Sequence, residues 1–178
     1  DLDLLAREVL MLRTNARLQQ RPLPMGRKGE FLSQILYQAV MDDWDRGVPA
    51  SITLVQAILE SNWGRSAPGN ALFGLKGEGP AGSTMRRVVE YRHGKRVWRK
   101  AAFRAYHSLD QSVEDHAALL AEGRPYRKAR LVAEDPVAYA QALKGSYASD
   151  PRYGEKLACM VEEYGFRRFD WSAQSPWQ

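Results

Sequence analysis

Glu60 has the setting in this sequence that most strongly indicates chemistry. It is the only acid in Ala50–Gly64, where it follows the apolar run Ala57–Leu59 and closely precedes Trp63. Apolar and aromatic surroundings disfavour the charged form of a carboxyl group, so they raise its pKa. A carboxylic acid that stays protonated near neutral pH can protonate a leaving oxygen, as glycosidases require. The alternative is an exposed glutamate at a helix end, paired with Arg65.

Glu90 is the second candidate, because it is the single acid in a strongly basic stretch. Eight cationic residues surround it: Arg86, Arg87, Arg92, Lys95, Arg96, Arg99, Lys100 and Arg104. These cations would keep Glu90 ionised, and an ionised carboxylate can activate water or stabilise an oxocarbenium-like transition state. The alternative is a structural glutamate that pairs across a hairpin with Arg99 or Lys100. Two rival carboxyls are weaker candidates, since Asp150 suits a helix cap before Pro151 and Glu78 lies in a loop.

The sequence predicts neither a metal site nor a cofactor. His93, His107 and His116 do not have the mutual spacing of metal ligands, and no thiolate accompanies them. Cys159 is the single cysteine, which excludes an internal disulfide. We expect Cys159 to lie in a helix core as a small apolar residue.

Apolar spacing predicts three helices before the main loop, over residues 2–20, 28–46 and 51–63. Leu5, Val9 and Leu12 form the expected buried face of the first helix. The glycines Gly47 and Gly64 are the expected stops of the second and third helices. Residues 64–82 are rich in Gly, Pro, Asn and Ser, and a loop of this length usually lines a functional cleft.

The second half of the chain predicts a hairpin followed by further helices. Strands are expected at 85–91 and 96–103, joined by a turn at 92–95. Helices are expected to open at the capping box 108–111 and at two Asp-Pro pairs, Asp135-Pro136 and Asp150-Pro151. The sum is an α+β fold that is mostly α, with one β-hairpin.

The length of the chain limits the number of domains, and its charge limits the kind of partner. A chain of 178 residues fits one compact domain, which we expect at 27–170, with an N-terminal helix and linker at 1–26 and a tail at 171–178. The net charge of +5 suggests an acidic partner, such as nucleic acid, an anionic membrane or a cell-wall polymer. No apolar run is long enough for a membrane span. No signal peptide is present, which says nothing about secretion in a chain that begins with Asp.

Three elements of the sequence resemble a known enzyme family. Residues 50–64, followed by Asn70–Gly77, resemble the signature A-x-x-x-x-Q-A-x-x-E-S-x-W-G … N-x-L-F-G-x-K of glycoside hydrolase family 73. The likeness continues through 89–91 and 102–108, and 145–157 resembles the element G-Y-A-T-D-P-x-Y-A-x-K-L. Coverage is roughly 30–165, in the family's order. The departures are mild: Ser146-Tyr147-Ala148-Ser149 varies the last element, and the loop 66–70 is short.

The resemblance implies a lysozyme-like helical domain whose hairpin flanks an active-site cleft. It makes Glu60 the general acid and Glu90 the match for the second acidic residue. Tyr147 matches a tyrosine near the acid, although it could instead only pack between helices. Phe73 is expected to shape the cleft floor, and Asn70 is either a ligand or a turn residue. Trp63 is either a stacking surface for sugar or part of a dry wall beside Glu60.

The leading hypothesis is hydrolysis of the β-1,4 bond between N-acetylglucosamine and N-acetylmuramic acid in peptidoglycan. Family 73 contains bacterial cell-wall β-N-acetylglucosaminidases, so the resemblance implies a periplasmic or secreted location. A muramidase or a lytic transglycosylase on the same scaffold is the first alternative, and a non-catalytic cell-wall binding module is the second. No element typical of nucleic-acid recognition is present, so we expect no nucleic-acid partner. The N-terminal helix is a possible contact for a protein partner, and a retaining, inverting or substrate-assisted course stays open.

Overall fold

The computed structural model describes residues 1–171, apart from the side chain of Tyr91. Within that range the fold is mostly helical with a single antiparallel hairpin, as predicted. Of the expected tail 171–178, only Trp171 lies within the described residues. The elements are α1 (Leu2–Gln20), α2 (Arg27–Arg46), α3 (Ala50–Ser61), β1 (Ser83–Arg92), β2 (Lys95–Arg104), α4 (Leu109–Glu122), α5 (Arg127–Arg130), α6 (Pro136–Ala142) and α7 (Tyr153–Tyr164).

Helix α3 is the central element of the domain. Every residue from Ala50 to Ile58 is buried, because α2, α6, α7 and the final 3₁₀ turn Phe166–Phe169 pack around it. A helix that is largely apolar all round must be enclosed in this way to keep its apolar surface from water. Its last turn emerges from the core, where Leu59 is 40% exposed. The core therefore holds α3 rigidly and presents its C-terminal turn at the surface.

Helix α1 packs on the body of the domain through a different face from the predicted one. Leu10 and Thr14 are its buried residues, whereas Leu5 and Leu12 are 56% and 69% exposed. The expected stripe was wrong because α1 contacts the domain along one narrow line, and the position of α2 selects which residues face it. An ion pair of 2.9 Å between Arg7 and Asp45 fastens α1 to the end of α2. None of the described helices is long and apolar enough to cross a membrane.

The end of α3 differs from the prediction, with a consequence for the residues beyond it. The helix ends at Ser61, because Asn62 adopts a left-handed conformation with φ 50° and its N–H donates to the carbonyl of Ile58. Trp63 and Gly64 continue with φ of 59° and 75°. Trp63 therefore does not lie one helical turn after Glu60. The left-handed Asn62 replaces Gly64 as the helix stop.

The hairpin is longer than predicted and its register is regular. The pairing runs from Ser83 opposite Arg104 to Arg92 opposite Lys95. His93 and Gly94 form the turn with φ of 49° and 74°, the positive values that a two-residue type I′ turn requires. The base of the hairpin docks on the loop before it, where the N–H of Tyr106 donates to the carbonyl of Gly69 at 2.8 Å.

The later helices begin largely where the capping signals place them. Ser108 caps α4 through the N–H of Gln111, and Asp135 caps α6 through the N–H of Val137. Helix α7 starts at Tyr153, later than expected, because Asp150 accepts from the N–H of Arg152 in a turn that precedes the helix. Short elements such as α5 carried no clear sequence signal.

Cys159 contradicts its prediction. It lies on the exposed side of α7 as a free thiol rather than in the core. The apolar face of α7 is formed by Leu157 and Val161, and a helical position two residues after Leu157 necessarily points away from that face.

Candidate active site

Glu60 lies on the emerging last turn of α3 and is held by a tyrosine from another helix. Its Oε1 accepts a hydrogen bond of 3.0 Å from the hydroxyl of Tyr153, the first residue of α7. Glu60 is solvent-accessible as a residue, yet the surrounding protein desolvates its carboxyl group enough to raise the pKa, and the bond from Tyr153 opposes that rise. The alternative pairing of Glu60 with Arg65 is not among the ion pairs of residues 1–171.

A chain of buried polar side chains extends behind Tyr153. The Nε2 of Gln56 donates to the Tyr153 hydroxyl at 2.9 Å, and the Oε1 of Gln56 lies 2.9 Å from the Nε2 of His116. Gln56 and His116 are fully buried and Tyr153 is 3% exposed. Burial lowers the pKa of His116 to about 3, so the ring is neutral. The chain therefore connects the carboxyl group of Glu60 to a neutral imidazole on α4.

Aromatic rings enclose this polar chain. Tyr147 stacks on Tyr153 with ring centroids 5.7 Å apart, and Phe73 stacks on His116 at 3.8 Å. The hydroxyl of Tyr147 is buried and has no hydrogen-bond partner in the described part of the chain. Burial raises the pKa of Tyr147, and the nearby charge of Glu60 contributes to the rise. The hydroxyl is therefore a buried polar group that interacts electrostatically with Glu60 and has no protein partner among the described residues.

The sequence prediction missed three members of this site. Gln56 lies one helical turn before Glu60, a spacing that puts both side chains on one face of α3. Tyr153 belongs to the matched element 145–157, but its position there indicates no particular role. The spacing of His116 from the other histidines bears only on metal binding. Among residues 1–171, no three His, Cys, Asp or Glu side chains are grouped to hold a metal ion.

Glu90 lies in the hairpin, in an arrangement that resembles its structural alternative. It pairs with Arg99 across the strands at 3.7 Å and contacts Arg92 at 4.0 Å. No hydrogen bond or ion pair of the described residues joins Glu90 to Glu60 or to Tyr153. The catalytic role of Glu90 stays a prediction.

The remaining predicted residues make different kinds of contact. Phe73 is buried at 4% exposure and supports His116 from behind, so its contact with a substrate would be indirect. Asn70 donates from its side-chain amide to the carbonyl of Tyr106 at 2.9 Å, as a turn residue would. Trp63 is half-buried, with its ring edge-to-face against Tyr164 and the ammonium of Lys28 4.6 Å from its centre.

Comparison with known proteins places this geometry in a family. A family model described as "Glucosaminidase: Mannosyl-glycoprotein endo-beta-N-acetylglucosaminidase" matches residues 37–166. A probable N-acetylmuramidase of Lactococcus lactis subsp. lactis (strain IL1403) is 39% identical over 150 residues, covering 79% of this chain and 34% of the relative. The exo-glucosaminidase LytG of Bacillus subtilis (strain 168) is 38% identical over 146 residues, covering 78% and 50%. The chain thus spans about a third to a half of the length of these curated relatives.

Solved structures show the same architecture. The catalytic domain of the autolysin Auto from Listeria monocytogenes superposes with a TM-score of 0.76 at 31% identity, covering 89% of this chain and 97% of that one. A glycoside hydrolase domain of FlgJ from Salmonella typhimurium gives 0.60 at 32% identity, covering 78% and 97%. These likenesses confirm the predicted mostly α, lysozyme-like α+β fold. With the family model matching residues 37–166, they show that the chain belongs to the glucosaminidase family, glycoside hydrolase family 73, which its motifs resemble.

Proposed function

We propose that this chain hydrolyses the β-1,4 bond between N-acetylglucosamine and N-acetylmuramic acid in peptidoglycan, with Glu60 as the general acid. The observation that carries the proposal is the carboxyl group of Glu60 at the accessible end of a buried helix, with a raised pKa and an oriented hydrogen bond from Tyr153. Family membership supports the reaction class. Two relatives in that family are an exo-glucosaminidase and a protein named peptidoglycan hydrolase FlgJ.

The site supports proton donation to the leaving group. A protonated Glu60 would donate to the glycosidic oxygen as the bond breaks, and the resulting carboxylate would keep the hydrogen bond from Tyr153. Two sources fit the second group that the reaction requires. One is Glu90, which would have to leave Arg99, and the other is the acetamido group of the substrate itself. The aromatic wall formed by Tyr147, and the more distant ring of Trp63, offer faces for sugar rings.

An N-acetylmuramidase is the second candidate function. Relatives at 39% and 34% identity carry the name probable N-acetylmuramidase. The same general acid would serve either bond, because only the sugar on each side of the cleaved oxygen changes. Mass spectrometry of the products distinguishes a reducing N-acetylglucosamine end from a reducing N-acetylmuramic acid end and from an anhydro product of a lytic transglycosylase.

The charge distribution suits an anionic polymer. A groove of about 500 Å³ reaches Ser146, the residue before Tyr147. It is bordered by Arg124, Arg127, Lys128 and Lys144, and the described residues that line it include no acid. None of these four cations forms an ion pair within residues 1–171. Peptidoglycan carries carboxylates on its peptides, so these cations favour its binding through complementary charge. A peptidoglycan substrate implies action in the cell envelope, and the exposed residues of α1 leave room there for a protein partner.

The decisive experiment is the release of reducing ends from purified peptidoglycan by the wild-type protein and by Glu60→Gln. We expect a loss of about 100-fold or more, because the amide cannot donate the acid proton. The exposed Glu134→Gln is the matched control and should keep full activity. If Glu60→Gln keeps near-wild-type activity, the general-acid assignment is wrong. If the wild type binds peptidoglycan without releasing ends, the chain is a binding module.

A further inference from the structure

The hydrogen bonds in the polar chain behind Glu60 can all donate toward Glu60 or all donate away from it. The position of the proton on His116, at the far end of the chain, determines which of the two occurs. Gln56 can present its amide in two orientations, so its bonds could run toward Glu60 or away from it. In the orientation of the structure, His116 Nε2 faces the Gln56 carbonyl oxygen, and Gln56 Nε2 faces the Tyr153 hydroxyl. That order requires the His116 proton to be on Nε2. Gln56 then donates to Tyr153, and the only hydrogen left on Tyr153 points to Glu60.

His116 has a reason to keep its proton on Nε2. Its Nδ1 is buried and has no hydrogen-bond partner among the described residues. With the proton on Nε2, the orphaned atom is an acceptor, and with the proton on Nδ1 it would be an N–H donor. Buried N–H donors without a hydrogen-bond partner are rarer in proteins than buried acceptors without one. The Nε2-protonated ring is therefore the favoured form. The ring cannot carry both protons, because burial lowers the pKa of His116 to about 3.

We propose, on the basis of the proposed function, that His116 and Gln56 are positioning residues that fix Tyr153 as a donor to Oε1 of Glu60. With Oε1 occupied as an acceptor, the acid proton is kept on Oε2, which forms no hydrogen bond or ion pair with the described protein groups. The same bond stabilises the carboxylate that remains once the proton has moved to the leaving oxygen. Neither residue reaches the substrate, since both are fully buried.

The reversed chain has a defined chemical consequence. With the His116 proton on Nδ1, Gln56 would donate to His116 and accept from Tyr153. Tyr153 would then offer only lone pairs to Glu60, and Glu60 would have to donate its own proton to Tyr153. That proton would point into the protein rather than toward a substrate. The tautomer of His116 thus decides whether the acid is productive.

The other ionisable groups near Glu60 do not supply this control. The groups that face it or its partners are Tyr153 from α7, Tyr147 from the loop before α7, His116 and Asp115 from α4, Tyr126 from the turn 124–126 and Tyr106 from the segment after β2. Asp115 is paired with Arg104 at 2.9 Å. At the start of α7, Arg152 is paired with Glu155 and Lys156 with Asp150, and at its end Glu162 is paired with Arg167.

The test compares His116→Leu with His116→Gln in the pH dependence of kcat/KM on purified peptidoglycan. His116→Leu removes the donor that orients Gln56, so the carboxylate of Glu60 loses its assured hydrogen bond. We expect the basic limb of the profile to move up by about half to one pH unit, with KM unchanged, because a lost hydrogen bond to the charged form raises the pKa of an acid. His116→Gln retains an N–H donor at a similar position and should restore the wild-type limb.

Two results distinguish a failure of this positioning proposal from a failure of the proposed function. If the His116→Leu protein melts like the wild type and the basic limb of its pH profile is unchanged, the proposal is overturned. A wild-type profile whose basic limb persists in Glu60→Gln overturns the proposed function instead. If His116→Leu does not fold, ¹⁵N NMR of the wild-type imidazole decides the question. A proton on Nε2 supports the proposal, and a proton on Nδ1 overturns it.

Discussion

The hydroxyl of Tyr147 is a buried polar atom without a partner in the part of the chain that the structure describes. An unsatisfied buried group of this kind costs about 1–3 kcal/mol of stability. Its ring position is already fixed by stacking on Tyr153, so the hydroxyl is not needed to hold the side chain in place. Because the hydroxyl has no accessible surface, we propose that it reaches the substrate only when the surrounding side chains shift on binding.

Replacing Tyr147 by Phe should therefore separate stability from activity. We expect an unfolding free energy equal to or above that of the wild type, because an orphaned hydroxyl is removed while the ring remains. We expect kcat/KM on peptidoglycan to fall by about tenfold, which corresponds to one lost hydrogen bond. Urea unfolding and initial rates of reducing-end release measure the two quantities.

Tyr139 supplies the matched control for this substitution. Its hydroxyl is also buried and unpartnered within residues 1–171, but the residue lies fully inside the core on α6. Tyr139→Phe should shift stability in the same direction as Tyr147→Phe and leave the rate unchanged. A clear loss of stability in Tyr147→Phe would mean that its hydroxyl has a partner in the folded protein. An unchanged rate would mean that Tyr147 only packs.

At the residue scale, the sequence could indicate Glu60 but not the groups that control it. The isolation of Glu60 in an apolar segment is visible in a stretch of 15 residues, Ala50–Gly64. Tyr153 is separated from Glu60 by 93 positions, and His116 from Gln56 by 60. No local pattern encodes such contacts, because they depend on how α4 and α7 dock on α3. The pairing of Glu90 with Arg99 was open to prediction because both lie in one hairpin.

At the scale of elements, the hairpin owes its position to one glycine in the loop before it. Gly69 adopts φ +64°, and an added Cβ would lie 2.9 Å from the Cβ of Ala105 and 3.0 Å from Cγ2 of Thr84. Thr84 is near the start of β1 and Ala105 directly follows β2, so both strands meet Gly69 at their base. This close approach sets the orientation of the hairpin relative to the loop that follows α3.

Gly69→Ala should therefore loosen the docking of the hairpin. A left-handed conformation costs a non-glycine residue about 1–2 kcal/mol, and crowding in a packed site adds about 1–3 kcal/mol. The control is Gly82→Ala, which has φ +88° but no atom within 4 Å of the added Cβ. We expect Gly82→Ala to show only the conformational cost in urea unfolding. Equal losses in the two variants would show that the base of the hairpin is not tightly packed.

Elements were predicted well where a signal is local and less well where a tertiary contact overrides it. The type I′ turn at His93-Gly94 and the caps at Ser108 and Asp135 are properties of a few adjacent residues. The end of α3 at Ser61 depends on a left-handed Asn62, which competes with the more obvious stop at Gly64. The buried face of α1 depends on where α2 lies, so it could not be obtained from its own spacing.

At the scale of the whole molecule, two buried carboxyl groups fasten the start of α3 to the end of the described chain. Asp170 accepts from the N–H and the hydroxyl of Ser51 at 2.7 and 2.8 Å. Asp43 accepts from the N–H of Ala50 at 3.1 Å and of Trp171 at 2.8 Å. The first N–H groups of a helix lack internal partners, and these carboxyls supply them across the fold. The helix that carries Glu60 is thereby anchored at its opposite end.

This anchor makes the stability of the molecule depend on pH. Burial raises the pKa of Asp170 to about 8 and that of Asp43 to about 6, although N–H donors favour the ionised form of both. Asp42, which precedes Asp43 on α2, is outside the anchor, and burial raises its pKa to about 7. In the unfolded chain these three groups titrate near pH 4, so between pH 4 and 8 their carboxyls bind more protons in the folded protein. The free energy of unfolding must then fall as pH rises. His116 acts in the opposite direction only below about pH 6.5, because burial lowers its pKa to about 3.

The window from pH 6.5 to 8.5 therefore isolates the carboxyl groups. We expect the unfolding free energy of the wild type to fall across it by on the order of 2 kcal/mol, since one pKa unit corresponds to about 1.4 kcal/mol. The asparagine of Asp170→Asn cannot ionise, so the stability of this variant should decline less steeply, through Asp42 and Asp43 alone. The exposed Glu134→Gln should decline like the wild type. Urea unfolding at fixed ionic strength measures all three, and a wild type whose stability is flat across this window would show that Asp170 is ionised throughout, its N–H donors outweighing its burial.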